Sequence, residues 1–124
     1  MLKLILLFRR KPGMSRADFI DYYETVHAPL SVDKIPGIAL YRRSYVEPGA
    51  APFGHPTTEA GFDVVTELGF ESREDYDAAV QAFTSPELGT LFYADMQNLF
   101  DLSEPQRGYF IRQELSPIPA RAAP

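Results

Sequence analysis

The sequence contains no cysteine, no tryptophan and only two histidines. Without cysteine the chain can form no disulfide framework, no thiolate nucleophile and no cysteine-ligated zinc or iron–sulfur site. Its 12 basic residues are outnumbered by 17 acidic residues, so the formal net charge is -5. General binding to a phosphate backbone needs clustered Lys and Arg, and we therefore expect no nucleic-acid partner.

No apolar run approaches the roughly 20 residues that a membrane-spanning helix needs. The longest run lies near residues 4–8, and basic residues and Pro12 follow it at once. No small-residue cleavage site is present, so the segment is not typical of a signal peptide. Hydrophobic residues make up 45% of the 124, a composition that folds. We expect one domain in a cytoplasmic protein with no membrane partner.

Hydrophobic periodicity and turn residues divide the chain into four strands and three helices. Ser15, Ser72 and Ser85 are typical helix N-caps, and each precedes an apolar stripe at helical spacing. The residue before a proline avoids helical geometry, so Pro29 is expected to end the first helix near positions 27 and 28. The predicted strands span residues 2–10, 37–47, 62–70 and 108–114.

The resulting order is β-α-β-β-α-β with the second helical part split in two, which is the ferredoxin-like pattern of an α+β domain. It predicts an antiparallel sheet within residues 1–115, with both helices on one face, and a proline-rich tail at 116–124. The other face is expected to include Tyr41, Tyr45 and Val65, which is too apolar for a solvated surface. We therefore predict a homodimer whose second copy covers that face, with a cavity between or beside the two sheets.

Residues 48–61 carry three prolines and three glycines and are predicted to form a loop. Loops of this length in small domains are often lids or binding loops. Phe53, His55 and Thr57 lie within it, and His55 is expected to be exposed. If the loop folds over the cavity, Phe53 becomes a substrate contact and His55 a second acid/base candidate.

His27 is the leading candidate for chemistry. It lies four residues after Tyr23, at the edge of an apolar stripe, and two residues before Pro29. Its side chain can therefore project from a helix end into a cavity. Histidine has the unperturbed pKa best suited to proton transfer near neutral pH. The alternative is a packed histidine, or a favourable charge at a helix C-terminus.

Asp63 and Glu67 lie four residues apart on the third predicted strand and therefore share a face. If that face lines the cavity, both are candidates for acid/base work or for orienting His27. The alternative is a structural ion pair with Arg42 or Arg43 of the neighbouring strand. Such a pair can also orient a substrate.

Asp95 interrupts the apolar stripe of the last helix, four residues from both Leu91 and Leu99. A carboxylate in that position is costly unless it is paired or hydrogen-bonded. Asn98 and Asp101 follow at helical spacing, so a polar network is expected here. It could contact a substrate, or it could be only a cap or a salt bridge.

Several motifs of cofactor and metal sites are missing from the sequence. No phosphate-binding glycine loop, GxGxxG, GxSxG or HExxH occurs, and the two histidines and scattered carboxylates show no metal-ligand spacing. We expect neither a cofactor nor a metal.

Residues 11–30, with Gly-Met-Ser near their start and His-Ala-Pro-Leu at their end, resemble the opening motif of EthD-like proteins. Three further stretches are similar to later motifs of that family: 35–41 at the entry to the second strand, 62–72 at the third strand, and 95–101. The resemblance spans nearly the whole domain. It implies a dimeric α+β barrel built from two ferredoxin-like subunits.

The resemblance leaves the reaction open. Members and neighbours of this superfamily include cofactor-free monooxygenases, isomerases, polyketide cyclases, decarboxylases and catabolic accessory proteins, and a fold does not fix a reaction. Tyr23 and Gly69 stand where the family commonly has Trp. These two differences are expected to reshape the pocket, with Gly69 opening space beside Glu67.

The leading hypothesis is a cofactor-independent enzyme that acts on a small hydrophobic, aromatic or polyketide-like compound by acid/base chemistry, as an isomerase, decarboxylase, cyclase or oxygenase. His27 would be the general acid/base, with Glu67 or Asp63 orienting it or binding the substrate. The alternative is a non-catalytic dimer that binds such a compound, or an accessory protein of a catabolic oxidoreductase pathway. The expected substrate contacts are Tyr23, Tyr41, Arg43, Tyr45, Phe53, His55 and Asp95.

Overall fold

The computed structural model describes residues 1–49, 51–55 and 60–121. Four strands form one antiparallel sheet in the order β2-β3-β1-β4. The strands are β1 (Leu2–Phe8), β2 (Ile38–Tyr45), β3 (Val64–Phe70) and β4 (Arg107–Ile111). The helices are α1 (Arg16–Tyr22), α2 (Ala28–Lys34), α3 (Arg73–Phe83) and α4 (Pro86–Met96). The predicted ferredoxin-like α+β order is confirmed, and each strand is slightly shorter than predicted.

Three serines begin helices as the sequence predicts. The hydroxyl oxygens of Ser15, Ser72 and Ser85 each accept a hydrogen bond from the backbone N–H three residues later. Such a bond satisfies one of the N–H groups that a helix start leaves without an intrahelical partner. Pro86 follows Ser85 in the first turn of α4, where its missing N–H costs nothing.

Side-chain alternation assigns the two faces of the sheet. Val64, Leu68 and Phe70 of β3 pack against the helices in the hydrophobic core. Directly opposite residues of antiparallel strands point to the same side, so Leu4 and Phe8 of β1 share this face. We call it the helix face, and the opposite side the open face.

Tyr41 and Tyr45 lie on the helix face. Tyr41 is paired with Leu68, and Tyr45 is paired with Val64. The prediction that these two tyrosines line the open face is therefore wrong, whereas Val65 does lie there. Both faces of β2 mix polar and apolar side chains, so its alternation alone does not say which face meets the helices.

A π-helical turn at Tyr23–His27 joins α1 to α2. The N–H of Ala28 donates to the carbonyl of Tyr23, five residues back. Pro29 then falls in the first turn of α2, where a helix does not need its N–H. The prediction that the helix ends near positions 27 and 28 is therefore wrong, because the wider turn accommodates the proline and the chain stays helical to Lys34.

Gly69 lies on the open face and allows close packing there. A Cβ atom at this position would lie 2.9 Å from the Leu40 Cβ and 2.6 Å from the Met1 sulfur. Both distances are too short for a Cβ atom. The lack of a side chain at Gly69 therefore allows Leu40 of β2 and Met1 to pack closely against β3. The expectation that Gly69 opens space is therefore wrong, since Met1 and Leu40 already occupy it.

Candidate functional site

A cavity of about 730 Å³ lies between the helix face of the sheet and the helices. This volume is within the usual range for small-molecule sites, which are mostly apolar with a few placed polar groups. Both walls of this cavity come from one chain, and a cavity between the sheets of two copies stays a prediction. The apolar wall includes Leu4, Leu6, Phe8, Leu68, Phe70, Tyr76, Phe83, Phe92 and Met96. The polar side chains on the wall are the buried Tyr23, His27, Ser31 and Thr66 and the partly buried Tyr41.

His27 lines this cavity and is paired with Asp95. The His27 Nδ1 lies 2.6 Å from the Asp95 Oδ2, and both residues are buried. The π-helical turn carries the histidine and the last turn of α4 carries the aspartate. A carboxylate at this distance fixes both the orientation and the tautomer of an imidazole, as in base–orienter pairs of enzymes.

The second oxygen of Asp95 is also occupied. The Tyr22 hydroxyl donates to Asp95 Oδ1 at 2.7 Å, and the Asn98 amide donates to the Tyr22 oxygen at 3.0 Å. The polar network expected around Asp95 is therefore present and includes Asn98. Asp101 does not join it, since its carboxylate accepts the N–H of Ser103.

Aromatic rings surround the His27 imidazole. The rings of Tyr23, Phe100 and Phe92 meet it edge to face at centroid distances of 5.0, 5.3 and 6.3 Å. Burial among these rings lowers the pKa of His27 below its usual 6.5, and the hydrogen bond and charge of Asp95 partly oppose that change. The imidazole is therefore neutral at neutral pH and can accept a proton.

The neutral tautomer follows from the geometry. A carboxylate can only accept, so Nδ1 carries the hydrogen and donates it to Asp95, which leaves the lone pair on Nε2. His27 lines the cavity, and none of the described residues forms a hydrogen bond with its Nε2. Nε2 is therefore the basic atom that His27 offers to a molecule in the cavity.

Four hydroxyl groups form a chain on the cavity wall. The Tyr23 oxygen lies 2.5 Å from the Thr66 hydroxyl and 3.0 Å from the Tyr41 hydroxyl. Tyr41 in turn donates to Ser31 at 3.4 Å, and Ser31 donates to the His27 carbonyl at 2.9 Å. Burial raises the pKa of both Tyr23 and Tyr41, so both phenols keep their protons at neutral pH.

Residues 11–103 match the family model of the EthD domain. The chain belongs to the EthD family. This confirms the resemblance noted in the sequence. No curated protein matches the chain.

Solved structures similar to this EthD-family protein share its fold. An EthD family protein of Bacillus halodurans has 23% identity and a TM-score of 0.59, over 92% of this chain and 99% of that chain. A monooxygenase of Streptomyces coelicolor in complex with nanaomycin D has 14% identity and a TM-score of 0.57, over 96% and 92%. A dimeric protein of Bacteroides fragilis with a ferredoxin-like fold has 16% identity and a TM-score of 0.50, over 89% of this chain and 95% of that chain.

Asp63 and Glu67 do not face the cavity of this EthD-family protein. Glu67 lies on the open face and is 8% exposed, with Arg42 at 3.7 Å and Lys3 at 3.6 Å. Asp63 precedes β3, where it accepts the backbone N–H of Arg10 at 2.8 Å. Neither carboxylate is among the described residues that line this cavity, because the face that carries Glu67 is turned away from the helices.

Arg43 and Tyr45 converge on Glu24 rather than on the cavity. The Arg43 guanidinium donates to both carboxylate oxygens of Glu24, at 3.0 and 2.6 Å, and the Tyr45 hydroxyl donates to one of them at 2.5 Å. The hydrogen bond from Arg43 holds the pKa of Glu24 below its ordinary value. This cluster ties β2 to the π-helical turn that carries His27.

The loop candidates remain apart from the site. Phe53 lies in a short 3₁₀ turn at Pro52–Gly54 and its side chain is fully exposed, and His55 is exposed after it. Neither is among the described residues that line the cavity. Thr57 lies outside the described residues. The lid role of this loop therefore stays a prediction.

Sequence reasoning missed three members of the site, namely Tyr22, Ser31 and Thr66. Their spacing in the sequence offers a signal for two of them, since Ser31 is one helical turn after His27 and Tyr22 precedes Tyr23 directly, whereas Thr66 has no such signal. Within residues 1–49, 51–55 and 60–121, no three His, Asp or Glu side chains cluster as a metal site would require. In the same ranges no helix has the length and apolarity to cross a bilayer.

Proposed function

We propose that this EthD-family protein is a cofactor-independent enzyme that acts on a small hydrophobic, aromatic or polyketide-like compound by acid/base chemistry. The observation that carries the proposal is the His27–Asp95 pair. A buried neutral imidazole is held by a carboxylate at one nitrogen, and the residue lines an apolar cavity of about 730 Å³.

His27 would act as the base. Its Nε2 takes a proton from a carbon or oxygen of the substrate next to a carbonyl group, and the released electron pair moves toward that carbonyl oxygen. Asp95 stabilises the imidazolium that forms, since a hydrogen bond to a charged group is about twice as strong as a neutral one. Returning the proton to another carbon gives isomerisation, and addition of the enolate carbon to a second carbonyl carbon of the substrate, with the proton going to that carbonyl's oxygen, gives cyclisation. Loss of carbon dioxide from a β-keto acid would instead form such an enolate, and oxygenation of the enolate would require dioxygen as a co-substrate.

The cavity wall supports a ring-containing substrate. Its apolar surface is rich in aromatic side chains, which include Phe70, Tyr76, Phe83 and Phe92. The similar Streptomyces monooxygenase is in complex with nanaomycin D, which supports the view that this fold can hold a small molecule.

We also propose that the functional unit is a homodimer. The open face of the sheet carries Ile5, Leu7 and Val65 next to each other across paired strands, with Tyr109 beside Ile5 at 54% exposure. These residues form an apolar patch beside the charged side chains of Lys3, Arg42 and Glu67. An apolar patch with a polar rim is typical of an interface. The similar Bacteroides protein is dimeric, which supports the same arrangement.

A paired binding and turnover experiment tests the enzyme function. Wild type, His27→Ala and the control His55→Gln are incubated with phenols and ring ketones, with binding followed by calorimetry and products by mass spectrometry. Turnover by wild type and His55→Gln, with binding but no turnover by His27→Ala, is the expected result. Binding by all three with turnover by none would leave a small-molecule binding protein and would refute the enzyme.

A further inference from the structure

The four-hydroxyl chain has a direction, and its direction can be read from its end. The Ser31 hydroxyl lies 2.9 Å from the His27 carbonyl, and a carbonyl can only accept, so Ser31 must donate there. Ser31 then accepts from Tyr41, Tyr41 accepts from Tyr23, and Tyr23 accepts from Thr66. All protons of the chain therefore point the same way.

The contact between Tyr41 and Ser31 is the weak one. It measures 3.4 Å, beyond the usual range for two hydroxyl groups, whereas the contacts at Tyr23 measure 3.0 and 2.5 Å. Ser31, Tyr23 and Thr66 are at most 2% exposed, while Tyr41 is only partly buried. A molecule in the cavity can therefore take the Tyr41 hydrogen bond at little cost.

Two neighbours strengthen Tyr41 as a donor. A hydrogen bond accepted from Tyr23 polarises the Tyr41 O–H bond, because chains of hydrogen bonds reinforce one another. The Arg43 guanidinium lies over the Tyr41 ring, 5.2 Å from its centroid. Its positive charge draws electron density toward the ring and makes the hydroxyl hydrogen more positive. Tyr45, in contrast, donates its hydrogen to Glu24.

We propose that Tyr41 is the substrate-contacting donor of the cavity, and that the substrate places an acceptor oxygen, a carbonyl that becomes an enolate, against it. This inference rests on the proposed function, since it assumes that the substrate occupies the His27 cavity. It narrows the substrate class to ring ketones and related carbonyl compounds, and it excludes compounds that have no acceptor oxygen. Tyr41 then holds the oxygen on which negative charge develops while Nε2 takes the proton.

A pair of probes that differ only in the oxygen tests the inference. 2-Tetralone is a bicyclic ketone, and tetralin is the same bicycle without the carbonyl. We expect Tyr41→Phe to weaken binding of 2-tetralone by about fivefold or more, as the loss of one hydrogen bond implies, and to leave tetralin binding unchanged. The control Tyr45→Phe should bind both probes as wild type does.

A spectroscopic signature separates this role from a packing role. With 2-tetralone labelled by ¹³C at the carbonyl, the bound resonance in wild type should shift toward that of a hydrogen-bonded ketone, and Tyr41→Phe should lose that shift. Equal binding and equal carbonyl shifts in wild type and Tyr41→Phe would overturn the assignment of Tyr41. The loss of turnover in His27→Ala tests the proposed enzyme function. The Tyr41→Phe experiment measures binding alone, so failure of one proposal can be distinguished from failure of the other. Failure of both probes to bind wild type would overturn the ring-ketone class.

Discussion

Replacing Asp95 by asparagine should make His27 harder to protonate. The carboxylate accepts the His27 Nδ1 hydrogen at 2.6 Å in a buried site, and it opposes the effect of burial on the pKa of His27. The amide of the Asp95→Asn variant would keep an acceptor oxygen in place but would remove the negative charge. The neutral imidazole therefore keeps a partner, whereas the imidazolium loses its counter-ion.

The magnitude follows from the kind of bond that is lost. A hydrogen bond to a charged group contributes about 1.5–3 kcal/mol and a neutral one about 0.5–1.5 kcal/mol. The difference, on the order of 1–1.5 kcal/mol, corresponds to about a tenfold smaller population of the protonated form at a given pH. The pKa of His27 therefore falls further in Asp95→Asn, and a reaction that needs the imidazolium as an intermediate slows by about tenfold.

The change also has a signature in stability. The pKa of His27 in the folded chain is lower than 6.5, so acidification protonates the unfolded chain first. The free energy of unfolding therefore falls as the pH drops below about 6.5, until the pH passes the pKa of the folded state. In Asp95→Asn that decline continues to a lower pH and its total is larger.

The assay is an NMR titration of the histidine ring signals, with His55→Gln used to assign them. Asp33→Asn is the matched control, because it removes the same charge from an exposed position on α2. Wild type and Asp33→Asn should titrate alike, and Asp95→Asn should titrate at lower pH. An unchanged or higher His27 titration midpoint in Asp95→Asn would refute the coupling between the two residues.

Three further predictions concern the surroundings of the site. Tyr22→Phe removes a hydrogen bond to the buried Asp95 and should lower the free energy of unfolding, measured by urea denaturation, by about 1 kcal/mol. The control Tyr93→Phe, at an exposed position, should have no effect, and equal stabilities of the two variants would contradict the network. The pKa of Glu24 is lowered chiefly by Arg43. The free energy of unfolding of wild type should therefore exceed that of Glu24→Gln at neutral pH, and the difference should shrink as the pH falls below about 4.5. A difference that does not change with pH would contradict the ion pair. Val65→Arg on the open face should shift sedimentation toward the monomer, while Val32→Arg on an exposed helix position should not, and a dimer that survives Val65→Arg would locate the interface elsewhere.

Local signals in the sequence predict most of the fold. The caps at Ser15, Ser72 and Ser85 depend on one side chain and an N–H three residues away, so they can be read without tertiary information. The alternation along β3 likewise depends on the strand alone. The same holds for His27, which helical spacing places one turn after Tyr23.

The errors come from contacts between distant segments. His27 and Asp95 are separated by 68 residues, and only the packing of α4 against the π-helical turn brings them together. The pattern along β3 makes Glu67 or Asp63 the expected partner of His27, but a strand pattern carries no information on which distant segment packs against the histidine. Spacing places Asp63 and Glu67 on one side of the sheet, but it does not say which side meets the helices.

The π-helical turn is a third case. Pro29 predicts a helix end because its ring and missing N–H disturb a regular helix. One wider turn removes that conflict and also sets Tyr23 and His27 side by side, with their ring centroids 5.0 Å apart. Such turns are frequent at functional sites, but no residue pattern here distinguishes one from a simple helix end.

Solvent deuterium exchange tests the role of His27 as a base most directly, because it reports removal of a proton whatever product is formed later. 2-Tetralone is incubated in deuterium oxide with wild type, His27→Gln or His55→Gln at ligand concentrations that saturate each protein. We expect wild type and His55→Gln to accelerate deuterium incorporation next to the carbonyl, and His27→Gln not to exceed the rate without protein. Equal incorporation by wild type and His27→Gln, with the ketone bound to both, would contradict the assignment of His27 as the base.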